Sequence, residues 1–188
     1  MIDPGTNTEG EDVEDYCRRR WGGSGWTHSL KLEGKKDGAK FDNWKWWPHT
    51  LKAHQLVQYC CSNNNNNNKS GEEEKIIISS DKVNQLLFEA EYENGQNLSD
   101  VNVLLEIGKT LGIKDENDLA MYLALDKGKE QVQKDIAIGR QRYQISGVPH
   151  FIISSSDDDD DDQDRQSFSG AQKPKTFLSI FEALLAEE

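Results

Sequence analysis

The chain has 188 residues, of which 35% are hydrophobic and 30% charged, a composition that suits one folded domain. Its formal net charge is −12, and a nucleic-acid interface needs a basic face, so we expect no nucleic-acid partner. No apolar stretch is long enough to span a bilayer, and the acidic N-terminus is unlike a signal peptide. We therefore expect a cytoplasmic protein with no membrane partner.

The first two thirds of the chain predict a helical block. Near the N-terminus, only residues 1–4 and 28–32 ("HSLKL") could supply a strand. Farther along, apolar residues recur at the spacing of single helix faces. The predicted faces are Ala53, Leu56, Val57 and Cys60; Val83, Leu86, Leu87 and Ala90, ended by Asn94 and Gly95; Val101, Leu104, Leu105 and Leu111, capped by Ser99 and ended by Gly112; Leu119, Tyr122 and Leu123; and Val132, Ile136, Gly139 and Tyr143, ended near Ser146 and Gly147. An Asn-rich run at 62–75 predicts a mobile low-complexity loop inside the block.

The C-terminal segment changes from helical to strand periodicity. Residues 148–153 ("VPHFII") predict a strand that opens on a Val-Pro step, and 167–170 ("SFSG") predict its partner across an Asp-rich low-complexity loop at 154–166. A closing helix is expected after Pro174. Its apolar face carries Phe177, Ile180, Phe181 and Leu184. Since a lone two-stranded hairpin is marginal in water, we expect this one to need further strands.

The three cysteines predict neither a disulfide framework nor a metal site. Cys17 stands alone and Cys60 and Cys61 are adjacent, so the spacing of paired zinc ligands is absent. We expect no metal and no cofactor. The arginines at 18–20 could favour a Cys17 thiolate, but an inert Cys17 is the preferred interpretation because no partner cysteine is in evidence. Cys60 and Cys61 could form a strained ring disulfide, or, as we prefer, one side chain points inward and the other outward.

Three tryptophans precede the first predicted helix. Trp44, Trp46 and Trp47 could line a hydrophobic groove, as aromatic residues do at binding sites. Core packing explains the same residues at least as well, so both interpretations stay open.

Four strings of residues and the helical block between them resemble the DsbA-like thioredoxin-fold oxidoreductases. The strings are "DPGTNTEGED", "WWPHTLKAH", "ISGVPHFII" and "FSGAQKPKTFLSIFEAL". The resemblance is closest to the cytosolic branch related to the 2-hydroxychromene-2-carboxylate isomerases. It implies an α/β fold over 1–188, a single, N-terminally incomplete thioredoxin-like domain. A large helical insertion would occupy 45–146, and a cis-proline strand, a β-hairpin and a closing helix would occupy 147–188.

The resemblance also implies where a substrate binds. Pro149 would be the cis-proline, and in the family the backbone of the residue before it pairs with an extended substrate. Gly147, Val148, Pro149 and His150 are therefore the expected substrate-binding residues, and an extended peptide or a protein thiol is the expected partner. From the residues alone, Val148 and Pro149 could equally open an ordinary strand, and His150 could face solvent.

The sequence departs from the family in its redox chemistry. Family members carry Cys-x-x-Cys at the start of a helix, where one thiolate attacks a disulfide and the second thiol resolves the intermediate. No Cys-x-x-Cys occurs in this chain, so no catalytic residue is carried over. The expected function is thiol-disulfide exchange at family level, inactive in this chain. The alternatives are a non-catalytic peptide-binding module and a relative of the glutathione-dependent isomerases, with glutathione as the partner.

Overall fold

The computed structural model describes Asp3 and residues 5–66, 78–154 and 166–186. The chain divides into two compact units, Ile2–Lys134 and Asp135–Glu188. Each unit combines helices with one small antiparallel strand pair, which confirms the predicted α/β class.

The described residues form eight α-helices and four strands. The helices are α1 (Val13–Trp21), α2 (Gly25–Lys36), α3 (Leu51–Asn66), α4 (Ser80–Phe88), α5 (Val101–Thr110), α6 (Glu116–Ala124), α7 (Lys129–Gln141) and α8 (Pro174–Ala186). A π-helix at Glu89–Glu93 follows α4 directly. The strand pairs are β1 (Glu11–Asp12) with β2 (Trp46–Trp47), and β3 (His150–Ile153) with β4 (Gln166–Ser169). None of the helices described combines the length and the apolar character that a bilayer crossing requires.

The main core of the first unit lies among α3, α4, α5 and α6. The helical faces predicted from periodicity are the buried ones, and Leu56, Leu104 and Leu119 are completely buried. Each leucine buried in this way stabilises the folded state by roughly 1.5–3 kcal/mol relative to leaving it exposed. Across the core, the Tyr59 ring packs edge to face on Tyr122, with ring centroids 5.1 Å apart. Val83, Leu87 and Ala90 belong to the same core, which therefore also holds α4 and the π-helix that follows it.

A second, smaller core joins the N-terminal helices to the segment before α3. Its buried side chains are Val13, Tyr16, Cys17 and Trp44. The Tyr16 ring stacks on the Trp47 ring, with centroids 4.1 Å apart and planes 9° from parallel. The pairing of β1 with β2 runs beside this stack.

Residues 28–32, a strand candidate in the sequence, lie in α2. The segment alternates apolar and polar residues, which suits a short strand, but the same residues also fit one turn of a helix. The last turn of α2 carries Lys35 and Lys36, which favour a helix C-terminus. The strand prediction is therefore wrong for this segment.

The N-terminal cap of α5 is Asp100 and not Ser99. The Asp100 carboxylate accepts a hydrogen bond from the backbone N–H of Asn102 at 2.9 Å. The Ser99 hydroxyl instead accepts one from the backbone N–H of His49 at 2.8 Å. Both residue types are good caps, so contacts made across the fold decide between neighbours.

The end of α7 also differs from the prediction. The helix stops at Gln141, so Tyr143 lies outside it. The chain turns through Gln144, which has a φ of 51°, and the Ile145 N–H donates to the Gly139 carbonyl at 3.0 Å. This turn occupies the residues that the prediction assigned to the last helical turn.

The two low-complexity segments are only partly described. α3 continues through Asn66, so the first residues of the loop predicted at 62–75 are helical. Neither glycine nor proline interrupts the chain there, and nothing in the sequence ends the helix at residue 62. The rest of that loop and most of the loop predicted at 154–166 lie outside the described residues.

The second unit is built on three phenylalanines. Phe151 of β3 lies between Phe168 of β4, 5.3 Å away between ring centroids, and Phe177 of α8, 4.9 Å away. Phe168 and Phe177 are themselves 5.4 Å apart. Aromatic pairs of this geometry contribute about 0.5–1.5 kcal/mol each beyond the area they bury. The cluster therefore attaches the hairpin to α8.

Glu91 of the π-helix is a buried acid, and its burial predicts a pH-dependent stability. Burial raises its pKa from the ordinary 4.5 to about 8. Between pH 4.5 and about pH 8, Glu91 therefore keeps its proton in the folded protein and has lost it in the unfolded chain. The stability from this difference is complete below pH 4.5 and falls as the pH rises toward 8, by up to about 1.4 kcal/mol per pH unit.

The substitution Glu91→Gln should remove this dependence, because glutamine carries no proton to lose. We expect the wild-type protein to lose about 2 kcal/mol of unfolding free energy relative to the variant between about pH 5.5 and about pH 7.5. Urea unfolding followed by circular dichroism measures the difference. The control is Glu106→Gln on the exposed face of α5. Identical pH slopes for the wild type and Glu91→Gln would contradict the prediction.

Candidate functional site

The segment between α7 and β3 contains the peptide bond that joins Val148 to Pro149, and this bond is cis. It is the isomer that the family resemblance implies for Pro149. The regular strand begins at His150, so the predicted strand start at residue 148 is wrong by two residues. Pro149 has no N–H to donate, and only its carbonyl extends the ladder, accepting the Gly170 N–H at 2.8 Å.

Val148 is exposed, and its backbone pairs with none of the residues that the structure describes. The residue has 67% of its surface accessible. No backbone hydrogen bond joins it to any other part of the chain that the structure describes. At the preceding Gly147, an added Cβ would meet no atom within 4 Å. The two residues before the proline, Gly147 and Val148, thus leave room for another chain to approach.

The edge of β3 that faces away from β4 has no strand partner among the described residues. Side chains alternate along a strand, so Ile152 lies on the face opposite Phe151, and it is 38% exposed. An unpaired edge beside an exposed apolar residue is a template for another extended chain. β3, with its unpaired edge, begins two residues after Val148, so the exposed backbone and the strand edge follow each other along the sequence.

One ring nitrogen of His150 is fixed by Ser169. The two residues face each other across the hairpin, and His150 Nδ1 lies 2.8 Å from Ser169 Oγ. The second nitrogen, Nε2, is buried, and the described residues give it no hydrogen-bond partner. This nitrogen could donate or accept one hydrogen bond, according to the tautomer. Ser169 was not among the residues predicted for the site. Its only signal in the sequence is its position opposite His150, and the long loop of the hairpin conceals that register.

Cys17 lacks the environment of a nucleophile. It is completely buried, and burial raises the pKa of its thiol. The neighbouring arginines, which could have favoured a thiolate, pair with acidic side chains instead. These pairs are Arg18 with Asp15, Arg19 with Glu11 and Arg20 with Asp3. Because the thiolate is the reactive form, an inert Cys17 fits the structure.

Cys60 and Cys61 are free thiols in different surroundings. Cys60 is buried in the main core, where burial raises the pKa of its thiol to about 12, whereas Cys61 is half-buried. This is the preferred arrangement, with one side chain inward and one outward. Within the described residues, no group of three His, Cys, Asp or Glu side chains is arranged to hold a metal ion.

These differences predict one fast-reacting thiol in the folded protein. Brief alkylation with iodoacetamide at neutral pH should label Cys61 well before Cys17 and Cys60, because the latter two are buried and protonated. Mass spectrometry of the digested protein identifies the labelled sites. Denaturation before labelling is the control and should make all three thiols react alike. Labelling of Cys17 as fast as Cys61 in the folded protein would contradict the prediction.

One comparison with known proteins places these elements in a family. The model of a family described as the DSBA-like thioredoxin domain matches residues 70–182. The match includes α4 to α7, the cis-proline segment, the hairpin and most of α8. It confirms the predicted thioredoxin-like fold with a helical insertion. No curated protein is similar enough to the chain to count as a match.

Proposed function

Because the chain belongs to the family of DSBA-like thioredoxin domains, a family of thiol-disulfide oxidoreductases, we propose that its cis-proline segment binds an extended peptide or protein thiol substrate. The substrate backbone would pair with Val148, and Gly147, Pro149 and His150 would complete the contact. The observation that carries this proposal is the exposed backbone of Val148, which pairs with none of the described residues and lies next to a strand edge that is likewise unpaired among them. In strand addition, backbone hydrogen bonds supply affinity and side-chain contacts supply specificity.

His150 supports the same proposal through its fixed ring. Ser169 holds Nδ1, so the ring is already oriented before a substrate arrives. Nε2 is buried, so the half-buried His150 would meet the substrate through its backbone and the accessible part of its ring. The exposed Ile152, two residues along the same face, would contact an apolar side chain.

We further propose that these 188 residues alone do not catalyse thiol-disulfide exchange. The reaction needs a thiolate to attack and a second thiol to resolve the mixed disulfide. Cys17 and Cys60 are buried with raised pKa values, and Cys61 has no second cysteine at the Cys-x-x-Cys spacing. The two thiols that the family reaction needs would therefore have to be cysteines other than Cys17, Cys60 and Cys61.

A substitution at Gly147 tests the peptide site. Because the space around Gly147 is open, Gly147→Val should fold normally and place a branched side chain where the substrate strand would lie. We expect the affinity for a short fluorescein-labelled peptide of alternating valine and threonine around one cysteine to fall about tenfold, or ~1.4 kcal/mol. Fluorescence anisotropy measures the binding.

Gly23→Val is the matched control for this experiment. Gly23 lies between α1 and α2 and also has open space around an added Cβ, so this variant should bind the peptide as the wild type does. A peptide N-methylated at alternate residues should bind weakly, because it lacks the backbone donors for strand pairing. Equal binding of the methylated and unmethylated peptides, or equal loss in both glycine variants, would refute strand addition at Val148.

A separate assay tests the absence of redox activity. Wild-type protein mixed with insulin and dithiothreitol should precipitate insulin no faster than dithiothreitol alone, because no exposed pair of thiols is present to cycle. Acceleration that persists in a Cys61→Ser variant would show that our assignment of the cysteines is wrong. Peptide binding and insulin reduction are measured independently, so one proposal can fail without the other.

A further inference from the structure

The first unit contains a cavity of about 510 Å³ that the proposed peptide site does not use. It lies against α2, the segment before β2, and the face of α4 and the π-helix. The residues that matter for its chemistry are Phe41, Trp44, Phe88, Tyr92, Glu89 and Glu93. A cavity of this volume is in the range that holds small organic molecules.

Four aromatic rings form the walls of the cavity. The Trp44 and Phe41 rings each meet the Tyr92 ring edge to face, with centroids 5.2 Å apart and interplanar angles of 78° and 67°. The Phe88 ring lies 6.0 Å from the same tyrosine and is 59% exposed. Trp44 is buried, Phe41 and Tyr92 are half-buried, and Phe88 is the exposed ring of the four.

The position of Phe41 is determined by its surroundings. Its φ of 50° is in the left-handed region, which a bulky residue adopts only when neighbouring contacts require it. On α2, a Cβ added at Gly34 would collide with the Phe41 ring, so this glycine makes room for the ring. Phe41 is thus held in the cavity wall by its own backbone conformation and by its packing against α2.

On the other side of the cavity, hydrogen bonds from Asn43 hold the π-helix in place. The backbone N–H of Asn43 donates to the Tyr92 carbonyl at 3.1 Å, and the Asn43 side-chain amide donates to the Glu93 carbonyl at 2.7 Å. The π-helix that carries Tyr92 and Glu93 belongs to a helix type that is frequent at functional sites. The cavity therefore joins three segments that are held together by hydrogen bonds.

Two carboxylates line the aromatic corner. Glu89 and Glu93 lie one turn apart on the helix face that carries Tyr92, and neither forms an ion pair with any residue of the described chain. The Lys31 ammonium already lies over the Trp44 ring, 5.8 Å from its centroid, so a bound cation would contact the other three rings. Lys40, the basic residue of the lining, is exposed, and its long side chain can keep its charge in water.

We propose that this cavity binds a small organic cation, an ammonium group that carries apolar substituents. Faces of tryptophan, tyrosine and phenylalanine attract ammonium ions, and carboxylates beside them balance the charge. The volume, together with the exposed Leu30 and Phe88 at its edge, accommodates apolar groups beyond the ammonium head. The cavity lies within the unit Ile2–Lys134, so this site is independent of the peptide site proposed above.

Isothermal titration calorimetry with benzyltrimethylammonium tests the proposal. The neutral comparison is neopentylbenzene, in which carbon replaces the charged nitrogen, followed by ligand-observed NMR because of its low solubility. We expect the cation to bind about tenfold more tightly than the neutral analogue. The double variant Glu89→Gln with Glu93→Gln should lose this preference, because it keeps the shape of the cavity and removes its charge.

Three single variants sharpen the test. Lys40→Gln should strengthen cation binding, since it removes a like charge from the lining. Gly34→Ala should weaken the binding of both ligands, because it displaces the Phe41 ring. Glu106→Gln, an exposed carboxylate on α5, is the matched control and should leave binding unchanged.

Several results would overturn the proposal. These are no detectable binding of the cation, equal binding of the cation and its neutral analogue, and an undiminished preference in the double glutamine variant. Tighter binding of a trimethyllysine peptide than of the free cation would also overturn it, because the occupant would then be a protein side chain.

Discussion

The first unit depends on how the segment before β2 is held between the N-terminal helices and the π-helix. On one side, Asn43 donates two hydrogen bonds, to the carbonyls of Tyr92 and Glu93. On the other, the Lys45 carbonyl accepts the Val13 N–H at the start of α1. Hydrogen bonds of this kind contribute about 0.5–1.5 kcal/mol each. The segment therefore contributes to both the second core and the aromatic cavity.

In the second unit, one face of the hairpin packs against α8 and the other face is exposed. Phe151 joins the hairpin to α8 on one face, while Val148 and Ile152 remain accessible. The peptide site that we propose would need such a support, because the support sets the geometry and the loop makes the contact. The pairing of His150 with Ser169 adds an oriented side chain to the same place. Family membership indicates thiol-disulfide chemistry for the fold, and our proposal that these residues alone do not catalyse it rests on the positions of the three cysteines.

Periodicity predicted the helices of the main core well, because residues such as Leu56 and Leu119 repeat at the spacing of a buried helix face. It failed where distant contacts decide. The two-residue strands β1 and β2 exist through their pairing with each other, and a π-helix has no periodicity of its own to distinguish it from α4. At the site, the cis isomer of Pro149 was implied only by the family resemblance. The partnership of His150 and Ser169 depends on a hairpin register that the sequence does not specify.

The distribution of tryptophan has a consequence for any spectroscopic study of folding. All five tryptophans lie between Trp21 and Trp47, and Asp135–Glu188 contains none. Intrinsic tryptophan emission therefore originates in the first unit alone, and the hairpin and α8 carry no tryptophan to report their opening. A single smooth emission transition would not establish two-state behaviour of the whole chain. The free energy derived from it would belong to Ile2–Lys134.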